Sequence, residues 1–146
     1  MKPADVPAGP LIVDTDVFSW LAWQRGRHAE FGRLVEGHVL ALSFAGVAEL
    51  RSGALRGAWG QPRREVLEER IRSFVVLPAT DSVTRWWADL DEKLHDRLQR
   101  GGANDMWTTA CALSQSPQLP IVTGNLRDFQ KIHDAFPQLT LIHPDL

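Results

Sequence analysis

Tyrosine is absent from the 146 residues, cysteine occurs once, at Cys111, and lysine only at Lys2, Lys93 and Lys131. A lone cysteine excludes an intrachain disulfide and fits a reducing compartment. No apolar run approaches the roughly 18 residues that a bilayer span needs. Pro3, Pro7 and Pro10 interrupt the stretch where a secretion signal would need an apolar core. These absences lead us to expect a cytoplasmic protein with no membrane segment. A net charge of -2 removes the bulk electrostatic mark of a nucleic-acid binder. With lysine scarce, the other 13 of the 16 basic residues are arginine. That bias suits bidentate phosphate contacts, and biased genome composition explains it equally well. The six tryptophans without a tyrosine have no physical account.

What is present is an ordinary globular composition, 44% hydrophobic and 23% charged, in a length that fits one domain with a real core. Residues 1–10 read as a flexible tail and residues 11–146 as a single domain. Leu11-Ile12-Val13 is too short for a helical face and suits a buried parallel strand, which puts Asp14 at its C-terminal end. Similar runs at Val39–Leu42, Phe74–Leu77, Ile121–Thr123 and Leu139–Ile142 predict four further strands. Between them, helical spacing predicts helices over Val17–Trp23, Ala29–Glu36, Phe44 to beyond Leu50, Arg63–Arg72 and Val83–Leu98. Further helices are expected from Asn104-Asp105 up to Pro117 and around Arg127–Ile132. Ser43 can cap one of these helices, Asp81 or Ser82 another, and Gly101-Gly102 should end the long one. Trp86 and Trp87 fall on its apolar stripe and read as core. Strands alternating with helices imply a parallel sheet of four or five strands covered on both faces.

Asp14 could merely cap the following helix, as could Asp16. Two more acids occupy equivalent places, however: Glu49 in the helix after the second strand, and Asp105 opening the helix before the fourth. In a right-handed parallel sheet those places can converge on one edge. Unit charges about 4 Å apart repel by roughly 4 kcal/mol at an effective dielectric near 20, so the cluster calls for a cation. All-oxygen ligands suit magnesium or manganese. Cys111 falls with the core, and the five histidines show no paired spacing that would suggest a protein nucleophile.

Four segments, in this order, resemble the PIN-domain ribonucleases, and among them the VapC toxins of type II toxin-antitoxin pairs. They are Ile12–Phe18, Ala48–Gly53, Asn104–Ala110 and Val122–Phe129, and the likeness extends from Leu11 to Pro144. The resemblance implies a three-layer α/β sandwich and metal-dependent hydrolysis of RNA phosphodiesters with Mg2+ or Mn2+ as cofactor. Asp14, Glu49 and Asp105 match the family's acidic metal site, with Thr15 and Thr123 as supporting hydroxyls. Asp16, Asn104 and Asp128 stand beside them, and Arg51 and Arg127 are weaker candidates for substrate contact. The family's fourth acid falls on Asn125, whose amide can still offer an oxygen while one negative charge is lost. One tight and one weak metal position are therefore expected, with Asp128 the neighbour able to contribute indirectly. The resemblance also implies an antitoxin partner covering the cleft, and a homodimer. Segments around Trp20, Trp23 and Trp59 could supply an apolar groove for that partner or be buried in the core.

Asp14-Thr15-Asp16-Val17 also fits the opening of haloacid dehalogenase phosphatases, with Asp14 as nucleophile and Asp16 as acid and base. That chemistry needs a lysine near the phosphate, and neither Lys93 nor Lys131 is well placed. A receiver domain would need a further Asp after a middle strand, where Leu77 leads into Pro78. A non-catalytic PIN-fold binding module is the remaining alternative.

Overall fold

In the computed structural model, which describes residues 1–98 and 102–146, five short apolar runs become strands: β1 (Leu11–Val13), β2 (Leu40–Ser43), β3 (Val75–Leu77), β4 (Ile121–Val122) and β5 (Leu141–Ile142). All pairings are parallel and the order is β3-β2-β1-β4-β5. Among the described residues seven α-helices connect them: α1 (Thr15–Trp23), α2 (His28–Val35), α3 (Phe44–Arg56), α4 (Gln61–Arg72), α5 (Asp81–Leu94), α6 (Gly102–Ser114) and α7 (Leu126–Ala135). The expected α/β sandwich is the fold observed.

Side chains alternate across a strand, so β1 feeds two cores. Leu11 and Val13 join Val17, Phe18, Phe31, Leu42 and Val47 beneath α1 to α4. Ile12 points the other way, to Leu90, Leu94, Met106, Ala110, Phe129 and Ile132 of α5 to α7. Full burial of each such side chain stabilises the fold by about 1.5–3 kcal/mol. β1 is therefore buried on both faces at the centre of the sheet, and the strand order reverses beside it. A crevice opens at that reversal, beyond the strand ends.

Besides shifts of a few residues at most element ends, four differences from expectation stand out. Thr80, not Asp81 or Ser82, caps α5 by accepting from the Val83 amide at 3.2 Å, so α5 starts at Asp81. It also stops at Leu94, short of Leu98, because the chain turns at His95–Arg97; Gly101 of the expected Gly101-Gly102 stop lies outside the described residues. α6 begins at Gly102, placing Asn104 and Asp105 inside its first turn. Within residues 1–10, expected as a flexible tail, Pro3–Asp5 form a 3-10 turn, Val6 is buried with the α2 core, and the Met1 ammonium donates to the Pro144 carbonyl. Apolar packing of Val6 overrides the proline-rich composition.

Trp86 and Trp87 are half-buried against the second core, Trp86 edge-on to Phe136 and Trp87 stacked on Trp107 at 5.0 Å. Cys111 is fully buried on α6, and burial pushes its thiol up to about 11. No described helix is long and apolar enough to cross a membrane.

Candidate active site

Asp14 ends β1 and caps α1 at once. Its Oδ1 accepts from the Val17 amide at 2.9 Å, the arrangement of an N-cap. Its Oδ2 accepts from the Thr123 hydroxyl at 2.6 Å and the Gly124 amide at 3.0 Å, both at the end of β4. The two readings of Asp14, cap and site acid, are thus carried by different oxygens of one carboxylate. Gly124 is held close because the Trp20 ring lies over it: a Cβ there would come within 2.8 Å of the indole.

Asp105, in the first turn of α6, meets Asn125, whose Nδ2 donates to Asp105 Oδ2 at 3.1 Å and to Asp128 Oδ2 at 3.1 Å. The Asn125 oxygen faces the Asp128 amide at 3.4 Å, where it caps α7. The expectation was an amide oxygen offered to a metal; here the oxygen is turned to Asp128 and the nitrogen to Asp105. Two acceptors on one side and a backbone donor on the other orient the amide nitrogen toward Asp105, and nitrogen so placed is a donor, not a ligand. Asp128 is buried behind Asn125, with Lys131 3.5 Å from its other oxygen.

Asp14, Thr15, Asp16, Glu49, Asn104, Asp105 and Asn125 together line one cleft of about 150 Å³. Thr15 donates to Glu49 at 3.4 Å, and Thr123 sits behind Asp14. The structure does not bring Arg51 or Arg127 to this cleft. Two helical residues rotate Arg51 by about 200° from Glu49, and it is spent on Glu68 at 2.7 Å between α3 and α4. Arg127 is exposed outside the cleft. The basic groups that do come near were not singled out in the sequence: Arg25 and Arg56 line a pocket of about 250 Å³ that shares Thr15, Asp16 and Glu49 with the cleft. Arg56 follows Glu49 by seven residues, two helical turns, and that spacing was the available signal.

Burial raises Asp14 to about 6 against the pull of its three donors, with Asp16 adding repulsion. Asp105 rises to about 7, first from burial, then from Asp14 and Asp128. Glu49 is also raised, chiefly by burial. No basic side chain lies among the seven residues that line the cleft. The cleft therefore gathers carboxylate, hydroxyl and amide oxygens with no cation among its lining residues, which fits a hard divalent cation. Among the described residues no three of His, Cys, Asp and Glu converge closely enough to enclose a metal by themselves. The fit is accordingly to an ion that keeps several water or phosphate oxygens, as magnesium does.

The raised values fix a sign. A carboxyl whose folded value exceeds its ordinary 3.8 contributes stability below that value, and loses it as pH rises through about 6 to 7. Thermal melts in chelator should show the protein losing several degrees between pH 5 and 8 relative to Asp105→Asn, and regaining them with Mg2+. Parallel melting curves for the two proteins would contradict this.

A family model for the PIN domain matches residues 11–134. Among solved structures, VapBC2 of Rickettsia felis bound to a DNA fragment is similar with a TM-score of 0.71 and 17% identity, covering 91% of this chain and 97% of that one. VapBC-5 of Mycobacterium tuberculosis, from the VapBC family of toxin-antitoxin systems, is 28% identical with a TM-score of 0.65, covering 94% and 99%. FitAcB of Neisseria gonorrhoeae is 22% identical with a TM-score of 0.65, covering 92% and 97%. No curated protein matches the sequence significantly. With a family match that starts at β1 and runs into α7, the chain belongs to the PIN-domain family.

Proposed function

We propose that this protein is a metal-dependent endoribonuclease and the toxin of a type II toxin-antitoxin pair. The observation that carries the reading is the convergence of Asp14, Asp105 and Glu49 on one small cleft that no basic side chain lines, in a family of nucleases. Asp14, Glu49 and Asp105 would hold Mg2+ or Mn2+, which supplies activation of a water and charge stabilisation at phosphate when bound. The protein's own part is orientation. Thr123 and Gly124 fix Asp14, Asn125 fixes Asp105, and Thr15 steadies Glu49.

The phosphatase reading gains nothing from the geometry. Asp14 Oδ2 already accepts two hydrogen bonds, Lys131 pairs with Asp128, and Lys93 lies over Phe136. The purified protein should cut single-stranded RNA in Mg2+ or Mn2+, stop in chelator, and release no phosphate from a small phosphoester. Cleavage undiminished by chelator overturns metal dependence, and RNA left intact in either metal overturns the nuclease.

Likeness to VapBC-5, from a family of toxin-antitoxin systems, supports an antitoxin as partner. Exposed Val75 and Val76 on the edge strand β3 give a second copy an apolar surface to cover. Co-purification with the product of an adjacent small reading frame and a dimer mass by light scattering are expected. A free monomer would count against both.

A further inference from the structure

The pocket beside the acidic cleft is walled by Trp23, at the end of α1, and Trp59, in the turn between α3 and α4. Their rings stand edge to face, 5.6 Å apart at 84°. The Arg63 guanidinium lies over Trp59 at 3.7 Å. Arg25 and Arg56 complete the rim, and among the described residues neither takes part in a salt bridge, unlike Arg51 with Glu68. Trp20 does not share this surface: it packs on Phe31 and over Gly26 and Gly124. The groove expected around the three tryptophans is therefore only two of them, joined to arginine.

A polyanion has to approach a cleft edged by carboxylates, and positive charge one pocket away offsets the repulsion. Indole faces and guanidinium planes are the surfaces on which unpaired bases stack. The two spaces share Thr15, Asp16 and Glu49, so a strand whose phosphodiester lies at the acids continues into the pocket. We propose that the Trp23–Trp59 pocket is a nucleotide subsite, in which the base next to the cut bond packs on indole while Arg25 and Arg56 hold its flanking phosphate. This deepens the nuclease reading and rests on it.

The test reads binding separately from cutting. The full chain carrying Asp14→Asn is titrated with a fluorescein-labelled single-stranded RNA of about ten nucleotides, by anisotropy, over a range of salt. Trp23→Leu and Trp59→Leu should each weaken Kd by roughly tenfold, and Trp59→Phe by no more than about threefold. Arg25→Gln and Arg56→Gln, both at exposed positions, should keep the fold and flatten the dependence of log Kd on log salt by about 0.7 each. Unchanged Kd and salt slope in the arginine variants overturn the subsite, whether or not the tryptophan variants fold. Unchanged RNA binding with lost antitoxin binding also overturns it, in favour of a protein occupant. A parent that binds RNA through these residues yet cuts none leaves the subsite standing and sinks the nuclease. A parent that cuts RNA while all variants bind normally does the reverse. No RNA binding at all refutes both.

Discussion

Asp14→Asn leaves the purified protein folded and unable to cut RNA. The amide keeps one oxygen, enough to accept from Val17 and cap α1, so the helix start survives. What it loses is the negative charge and the second acceptor, the one that takes hydrogen bonds from Thr123 and Gly124. Divalent charge stabilisation is worth several kcal/mol at a phosphoryl transition state, and each 1.36 kcal/mol is tenfold in rate. Cleavage should therefore fall by roughly a hundredfold to ten-thousandfold. Asp105→Asn should do the same, because its amide keeps an oxygen for the Asn125 donor but loses the negative charge and the other acceptor. The measurement is single-turnover cleavage at saturating Mg2+, alongside far-UV circular dichroism and a melt. Two folded variants that cut at parental rates would remove these carboxylates from the chemistry and with them the proposed function.

The second large effect is expected at Asn125, where the amide nitrogen stands 3.1 Å from both Asp105 and Asp128. Asn125→Asp replaces that shared donor with a third carboxylate. Each contact changes from attraction to a repulsion of order 4 kcal/mol at an effective dielectric near 20, relieved in part by proton uptake. In chelator the variant should melt well below the parent. With Mg2+ the order should narrow or reverse, because a carboxylate pair opposite Asp105 gives a second ion the charge that the amide withholds. An ion at 100 times its Kd adds about 2.7 kcal/mol, enough to be read as a metal-dependent shift in Tm. Calorimetric titration should resolve one tight site in the parent and a tighter second site in the variant. Equal melting of parent and variant in chelator, or two equally tight sites in the parent, would refute this role for Asn125.

Much of the frame could be read from residue order. Leu11-Ile12-Val13 followed by Asp14 has one physical solution in an α/β chain, and the other four strands carry the same signature of a short apolar run with a breaker after it. Helix phase is legible in the sequence: the 100° advance per residue sends Arg51, two positions after Glu49, to the α4 side, where it pairs with Glu68. The cap of α5 was missed because Thr80, Asp81 and Ser82 are all good caps, and only the path of the backbone selects Thr80. Asn125 was found as a departure from the family pattern, but its orientation depends on Asp128 and on two carboxylates from different elements. No local signal carries that. Val6 is the plainest tertiary effect: one apolar residue among prolines is ambiguous until α2 provides something to pack against.

The indole of Trp20 over Gly124 ties two distant letters of the sequence into one inherited unit. A side chain at position 124 meets the ring at 2.8 Å and would push away the amide that holds Asp14, so Gly124→Ala alone should erode activity without touching an acid. Trimming the ring should reopen the space: Trp20→Leu with Gly124→Ala should recover part of what either change loses alone, and a double-variant cycle showing strict additivity would break the link. Drift in this protein is then expected to move along correlated pairs, with a bulky residue at 20 permitted only while 124 stays bare.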